Sequence, residues 1–192
     1  MLDKSAQSGR APLVERRDDF YATPPEAVHA LLKVEKFSGT IWEPACGDGA
    51  IVKVLRESGH RVYATDLVDR GCPNSENRID FLLEGRPSNY ITAIVTNPPY
   101  ALAGAFVAHA IHLGIPKIAM LLRLAFLEGV GRSAILDSGW LARVYPFRNR
   151  LPMMHRHGWE GAKTSNSVAF AWFVWESGWN KPAEIHRISW KP

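Results

Sequence analysis

The segment Asn97-Pro98-Pro99-Tyr100, which follows an apolar run, carries the most specific chemistry in the sequence. Its two prolines fix the backbone and remove two hydrogen-bond donors, so the carbonyl of Pro98 is left as an acceptor. The side-chain oxygen of Asn97 is a second acceptor. Two acceptors can hold both hydrogens of a planar amino group, and the ring of Tyr100 gives an aromatic base a surface for stacking. A proline-rich turn that merely ends a strand is the structural alternative.

A second group, Glu43-Pro44-Ala45-Cys46-Gly47-Asp48-Gly49, has the glycine spacing of a ligand-binding turn before a helix. Two glycines separated by one residue allow the backbone to approach a ligand closely. A dinucleotide-binding turn would have a third glycine near Val52, and none is present there. The two carboxylates of the loop would repel a pyrophosphate but suit an ammonium or sulfonium centre. The loop therefore favours S-adenosylmethionine over a nicotinamide dinucleotide.

Two further carboxylates follow later in the chain. Asp66 stands after a predicted strand, where a carboxylate can accept hydrogen bonds from both hydroxyls of a ribose. Asp80 could accept from an adenine amino group, with Phe81 in apolar contact with the ring. Taken alone, however, this pair is better explained as an ordinary turn with Phe81 in the core. Cys46 is interpreted as a small buried residue rather than a nucleophile, because nothing near it in the sequence would lower its pKa.

These residues stand at the ends of strands in a chain that alternates strands and helices. Helices are predicted over 26–36, 50–57, 102–113 and 131–138. Strands are predicted around 41–42, 60–65, 91–96, 117–122, 140–147, 168–175 and 184–190, with a short element near 78–80. Thr23 is the predicted N-cap of the first helix, and Glu26 completes a capping box. The order predicts an α/β fold with a largely parallel sheet, which binds ligands at the carboxyl ends of its strands.

The net charge of +4 originates in one segment, residues 143–163, because the rest of the chain balances to zero. Basic side chains alternate there with rings such as Tyr145, a pattern typical of surfaces that bind nucleic acid. A solvated loop with incidental charge explains the segment about as well. Its basic residues include Arg143, and the candidate nucleic-acid contacts are Arg148, Arg150, Arg156, Trp159 and Lys163.

Composition restricts the other possibilities. A chain of 192 residues that is 46% hydrophobic is long enough for one domain, which we predict over residues 19–192, after a mobile arm at 1–18. Two cysteines without a CxxC pair give no sign of a zinc or other metal site and fit a reducing, cytoplasmic compartment. The longest apolar run is too short to span a membrane, and the N-terminus lacks the apolar core of a signal peptide.

Taken together, the motifs resemble those of the class I S-adenosylmethionine-dependent amino-methyltransferases, in particular the N6-adenine DNA methyltransferases. The resemblance covers residues 19–176 and implies a Rossmann-like, seven-stranded, mostly parallel sheet with one antiparallel strand near the C-terminus and helices on both faces. The motifs that carry it are Phe20-Tyr21-Ala22-Thr23-Pro24, the loop at 43–49, Asp66, Asp80-Phe81, the segment at 97–100 and Ala171-Trp172-Phe173-Val174-Trp175.

The resemblance also assigns residues to a site and implies that Tyr21, Thr23 and Pro24 contact the methionine end of the cofactor. The expected catalytic residues are Asn97, Pro98, Pro99 and Tyr100. The expected residues that bind S-adenosylmethionine are Tyr21, Thr23, Pro24, Glu43, Ala45, Cys46, Gly47, Asp48, Gly49, Asp66, Leu67, Asp80 and Phe81.

The expected function is transfer of a methyl group from S-adenosylmethionine to the N6 amine of adenine in DNA. Sequence-specific members of the family usually carry a separate target-recognition region, and this chain has no room for one, so we expect low sequence specificity. Three alternatives stay open: methylation of adenine in RNA, methylation of a glutamine amide in a protein, and nucleic-acid binding without catalysis.

Overall fold

The computed structural model describes residues 21–153 and 168–191, so the arm predicted at 1–18 lies outside the described ranges. The described residues form four α-helices: α1 (Pro25–Val34), α2 (Ala50–Glu57), α3 (Ala103–His112) and α4 (Ser133–Leu136). They also form eight β-strands: β1 (Thr40–Glu43), β2 (Arg61–Asp66), β3 (Glu76–Asn77), β4 (Ile91–Thr96), β5 (Lys117–Arg123), β6 (Leu141–Pro146), β7 (Phe170–Glu176) and β8 (Glu184–Ile185). Within the same ranges, no helix is both long enough and apolar enough to cross a lipid bilayer.

The eight strands belong to one sheet in the order β3-β2-β1-β4-β5-β7-β6-β8. β7 runs antiparallel to β5 and β6, and the other neighbouring pairs are parallel. The α/β fold and the antiparallel strand near the C-terminus are therefore confirmed. The sheet has eight strands instead of the seven that the resemblance implies, because the two-residue strands β3 and β8 both belong to it. The strand predicted over 184–190 is shorter than expected, since only an isolated bridge between Phe147 and Ile188 follows it.

Two apolar cores lie on the two faces of the sheet. β5 shows how the alternation of side chains supplies both. Ala119 and Leu121 pack in the core that includes α1 and α2, whereas Ile118, Met120 and Leu122 pack in the core that includes α3 and α4. Because both faces are covered, the central strands read as continuous apolar runs in the sequence.

The start of α1 differs from the predicted capping box. Pro24, not Thr23, is the N-cap, and no side chain caps the helix. The reason is steric, because a residue before a proline is disfavoured in the helical conformation. Pro24 precedes Pro25 and takes φ −57° and ψ 132°, so the helix cannot begin earlier than Pro25. Thr23 is buried instead.

A buried ion-pair cluster holds the end of α1 against the sheet. The carboxylate of Glu35, which is 4% exposed, accepts hydrogen bonds from Lys117 (3.0 Å), Tyr145 (2.8 Å) and the guanidinium of Arg143. Glu176 pairs with the same two cations. Burial by itself would raise the pKa of Glu35, but the hydrogen bonds from these three side chains outweigh it and hold that pKa below its usual value.

The same cluster corrects the interpretation of the basic segment. Arg143 belongs to β6, and two carboxylates neutralise its charge within the folded chain. Tyr145 is buried and bonded to Glu35. Neither residue is part of an exposed surface for nucleic acid, and the basic segment therefore begins after β6.

Replacing Glu35 by alanine should destabilise the fold by about 1–3 kcal/mol, because it removes the buried acceptor that three side chains share and leaves the two cations with Glu176 alone. The pKa of Glu35 is lower in the folded state than in the unfolded chain, so its stabilisation is present near neutral pH. The stabilisation is lost as the pH falls through the folded-state pKa. Urea unfolding at several pH values measures both effects. Glu57→Ala, at an exposed carboxylate of α2, is the control. Equal stabilities of the two variants at neutral pH would show that the cluster does not hold α1.

Candidate active site

The carboxyl ends of β1, β2 and β4 open into one cleft with an empty volume of about 830 Å³. Most of the residues expected at the site line it: Tyr21, Thr23, Glu43, Ala45, Cys46, Asp48, Asp66, Leu67, Asp80, Phe81, Asn97 and Pro99. The expected residues that do not line it are Pro24, Gly47, Gly49, Pro98 and Tyr100. The segments expected to bind the cofactor and the target therefore meet at one place.

The glycine loop after β1 is shaped by close contact with a neighbouring loop. Gly47 and Gly49 have φ of 56° and 88°, in the left-handed region that favours glycine. A Cβ atom at Gly49 would lie 2.9 Å from the sulfur of Cys72. Gly49 is also the N-cap of α2, so its left-handed backbone conformation ends the loop directly before the first helical residue.

Asp66, at the end of β2, is held rigidly beside that loop. Its Oδ2 accepts a hydrogen bond from the backbone N–H of Gly47 (2.7 Å), and its Oδ1 accepts from that of Val68 (2.8 Å). Each carboxylate oxygen can accept a further hydrogen bond. A carboxylate fixed in this way in the cleft suits the two adjacent hydroxyls of a ribose.

Glu43, at the end of β1, is a buried carboxyl group with unused capacity. Its Oε1 accepts a hydrogen bond from Thr96 (2.8 Å), whereas its Oε2 is buried and has no hydrogen-bond partner. Burial raises the pKa of Glu43 well above its usual value, and nearby Asp66 raises it further against the opposing hydrogen bond from Thr96. A cationic group in the cleft would pair with the free Oε2 of Glu43. This carboxyl group therefore suits the ammonium and sulfonium centres of S-adenosylmethionine.

The structural interpretation of Asp80 and Phe81, an ordinary turn with Phe81 in the core, is confirmed, and their contact with an adenine ring stays a prediction. Asp80 begins a 3₁₀ helix (Phe81–Leu83), where its Oδ1 accepts from the N–H of Leu82 at 3.0 Å. Phe81 is buried, with its ring centroid 5.0 Å from that of Trp42 and 4.8 Å from that of Phe106. Both residues also line the cleft, so a structural turn forms one of its walls.

Cys46 is buried, as expected from the sequence, and burial raises the pKa of its thiol. A protonated thiol is a poor nucleophile, which fits its interpretation as a packing residue. Cleft residues that the sequence analysis missed are Ile51, Arg70, Ile79, Leu82, Leu102 and Phe106. They come from apolar helix faces and a turn-rich loop, where no sequence motif indicates which side chains point into the cleft.

Asn97, directly after β4, has its side-chain amide oriented by the backbone of Tyr21. Its Nδ2 donates a hydrogen bond to the carbonyl oxygen of Tyr21 (3.1 Å), and only the nitrogen can do so, because a carbonyl has no proton to give. The Oδ1 of Asn97 is buried and has no hydrogen-bond partner. The amide thus keeps a free acceptor, as the chemistry of a bound amino group requires.

Tyr100 is surrounded by rings and a cation. Its ring centroid lies 5.7 Å from that of Tyr21, with 24° between the planes, and 5.8 Å from that of Phe170. The guanidinium of Arg123, which the sequence analysis did not single out, lies 4.8 Å from the centroid of Tyr100. The ring of Tyr100 is therefore packed between aromatic neighbours and a cation outside the lining of the cleft, and its expected stacking on a base stays a prediction.

The charges of the strand ends change sign along this edge of the sheet, although Arg70, in the loop after β2, also lines the cleft. Carboxylates stand at the ends of β2 and β1, the amide of Asn97 follows β4, and arginines follow at β5 and β6. Of the expected nucleic-acid contacts, Arg148 and Arg150 come after β6 and are exposed. The remaining three, Arg156, Trp159 and Lys163, lie outside the described residues.

No protein-family model and no curated protein matches the chain. Solved structures match it in fold. A protein from Vibrio vulnificus, named as a modification subunit of a type I restriction enzyme, has a TM-score of 0.56 at 12% identity over 88% of this chain, which spans about half (47%) of that protein. A protein from Listeria monocytogenes, named as a class I S-adenosylmethionine-dependent methyltransferase, has a TM-score of 0.60 at 12% identity over 88% of this chain and 67% of that chain.

A protein from Pyrococcus horikoshii, named as an RNA methyltransferase, has a TM-score of 0.61 at 12% identity, with coverage of 88% of this chain and 91% of that chain. At 12% identity, the similarity to these three structures establishes the fold alone. The chain therefore has the Rossmann-like fold of the class I methyltransferases.

The affinity for S-adenosylmethionine should fall as the pH is lowered from neutral into the acid range. A cation pairs with the ionised form of Glu43, so binding releases a proton from this carboxyl, whose pKa is raised in the free protein. Below that pKa, the change approaches about tenfold per pH unit. Glu43→Gln should weaken binding at neutral pH by roughly 1–3 kcal/mol and remove this pH dependence.

Calorimetric titration over a pH series measures both the affinity and the proton release, with Glu57→Gln as the control. An affinity that does not change with pH, or a Glu43→Gln variant that binds like the wild type, would remove Glu43 from the cofactor site.

Proposed function

We propose that the chain is an S-adenosylmethionine-dependent methyltransferase that acts on the N6 amine of adenine in DNA with low sequence specificity. The observation that carries the proposal is the amide of Asn97, whose Oδ1 is buried and unpartnered at the end of β4. It lies in the same cleft as four carboxyl groups, those of Glu43, Asp48, Asp66 and Asp80.

The residues at the ends of β1 and β2 fit the cofactor. Glu43 would pair with a cationic centre, Asp66 would accept from the ribose hydroxyls, and Asp80 would accept from the adenine amino group. Phe81 and Leu67 supply apolar surface in the same cleft. When bound, S-adenosylmethionine supplies an electrophilic methyl group.

Asn97 would hold and activate the target amine. The lone pair of an aromatic amine is delocalised into the ring, and hydrogen bonds from both its hydrogens to fixed acceptors favour a pyramidal, nucleophilic nitrogen. The Oδ1 of Asn97 is one such acceptor, and the carbonyl of Pro98 is the expected second. Because Tyr21 already fixes the amide of Asn97, little reorganisation is needed when the amine arrives.

The substrate class is inferred from the ring and the charges near Asn97. Tyr100 would stack on a planar base, and the exposed arginines at the end of β5 and after β6 favour a polyanion. A glutamine amide would use neither feature. Adenine in DNA is proposed over adenine in RNA on the motif resemblance, and a duplex target requires extrusion of the base. Phosphate contacts carry no sequence information, in keeping with low specificity.

Asn97→Ala should lower the turnover number by on the order of a hundred- to a thousandfold, because one preorganised acceptor is lost. The affinity for S-adenosylmethionine should stay close to that of the wild type, since the amide is assigned to the target. Methyl transfer to oligonucleotides and calorimetric titration of the cofactor measure the two quantities separately.

Asn89→Ala, at an exposed asparagine, is the matched control. The assignment is wrong if Asn97→Ala methylates at the wild-type rate, or if its only defect is weakened cofactor binding.

A further inference from the structure

Arg123 is placed against the target side of the cleft by the register of the sheet. β4 and β5 are parallel, with Thr96 opposite Met120. If this pairing is extended by three residues beyond the end of β4, Arg123 lies opposite Pro99, the residue before Tyr100. In agreement with this placement, the guanidinium carbon of Arg123 lies 4.8 Å from the centroid of the Tyr100 ring.

Within the part of the chain that the structure describes, no carboxylate neutralises the charge of Arg123. Its side chain is exposed. In contrast, Arg143 on β6 is paired with two carboxylates. The contact that holds Arg123 is therefore an aromatic ring, which orients the guanidinium without neutralising it.

The position of Arg123 along the edge indicates which part of a substrate it meets. Acids lie at the ends of β2 and β1, Asn97 follows β4, and Arg123 ends β5, one strand further from the cofactor side. A base whose amine is at Asn97 and whose ring is at Tyr100 carries its phosphates one sugar away, within reach of a long side chain at β5. Guanidinium groups bind phosphate through two parallel hydrogen bonds.

We propose that Arg123 binds a backbone phosphate that flanks the target adenine, so that the guanidinium beside Tyr100 couples recognition of the nucleic-acid backbone to placement of the base. This inference rests on the proposed function, because it assumes a nucleotide target in the cleft. It adds a residue that no motif indicated and makes the substrate a polymer rather than a free base or an uncharged amide.

The experiment is a thermodynamic cycle between a side chain and one phosphate. Oligonucleotides that contain a single adenine are prepared with one uncharged methylphosphonate linkage, either 5′ or 3′ of that adenine, and compared with the unmodified oligonucleotide. Wild type, Arg123→Ala and Arg132→Ala are assayed for kcat/KM on each oligonucleotide. Arg132 is the matched control, because its guanidinium also lies 4.8 Å from a ring centroid, that of Phe126, which belongs to the core that includes α3 and α4 and not to the segment at 97–100.

For one of the two linkages, the uncharged form should lower kcat/KM of the wild type and of Arg132→Ala by roughly ten- to a hundredfold, which is typical for loss of a charge-assisted hydrogen bond. Arg123→Ala should show a similar loss on the unmodified oligonucleotide and little further loss on the uncharged one. Cofactor affinity should be unchanged in both variants.

The inference is overturned if the loss from Arg123→Ala and the loss from the uncharged linkage multiply in the combined measurement. Arg123 and the linkage would then act independently, and Arg123 would only pack against Tyr100. The inference is also overturned if Arg123→Ala is as active as the wild type or more active. Failure of the proposed function looks different, since the wild type would then methylate no oligonucleotide. In that case the same cycle is measured on oligonucleotide binding by fluorescence anisotropy, and absence of coupling or of binding contradicts the inference.

Discussion

A buried polar atom without a hydrogen-bond partner destabilises a fold, and the cleft holds two such atoms close to the expected chemistry: Oε2 of Glu43 and Oδ1 of Asn97. Glu43 ends the central parallel strand β1 and Asn97 directly follows β4, so the sheet sets the positions of both residues. A fold retains unsatisfied acceptors of this kind where a ligand can satisfy them. One is a carboxyl oxygen that suits a cation, and the other is an amide oxygen that suits an amine.

Hydrogen bonds between elements hold these two acceptors in place. Thr96 at the end of β4 bonds Glu43 at the end of β1, and Asp66 at the end of β2 bonds the glycine loop after β1. The carbonyl of Tyr21 fixes the amide of Asn97. At the same edge, Asp66 and Glu43 end the strands on one side of Asn97, and Arg123 ends the strand on the other. The sheet thus brings a buried carboxyl oxygen and a buried amide oxygen, neither with a hydrogen-bond partner, to the same cleft.

Short motifs at strand ends were predictable from the sequence, because parallel strands bring their carboxyl ends to one edge. The segments at 43–49 and 97–100 and the carboxylate of Asp66 therefore meet in one cleft as expected. Long-range contacts were not predictable. Arg143 looked like part of a basic surface, but it pairs with Glu35, which is distant in sequence. Arg123 belongs to an apolar strand without a motif, and only the register of β5 against β4 places it beside Tyr100.

The most direct test of the account is transfer of labelled methyl from S-adenosylmethionine, measured in parallel on duplex DNA, single-stranded DNA, RNA and protein, with identification of the modified nucleoside or amino acid. The account predicts N6-methyladenine in DNA, formed at many sequence contexts. Label found only in RNA or in a glutamine side chain would contradict the proposed substrate. Binding of S-adenosylmethionine with no transfer to any of the four would contradict catalysis itself.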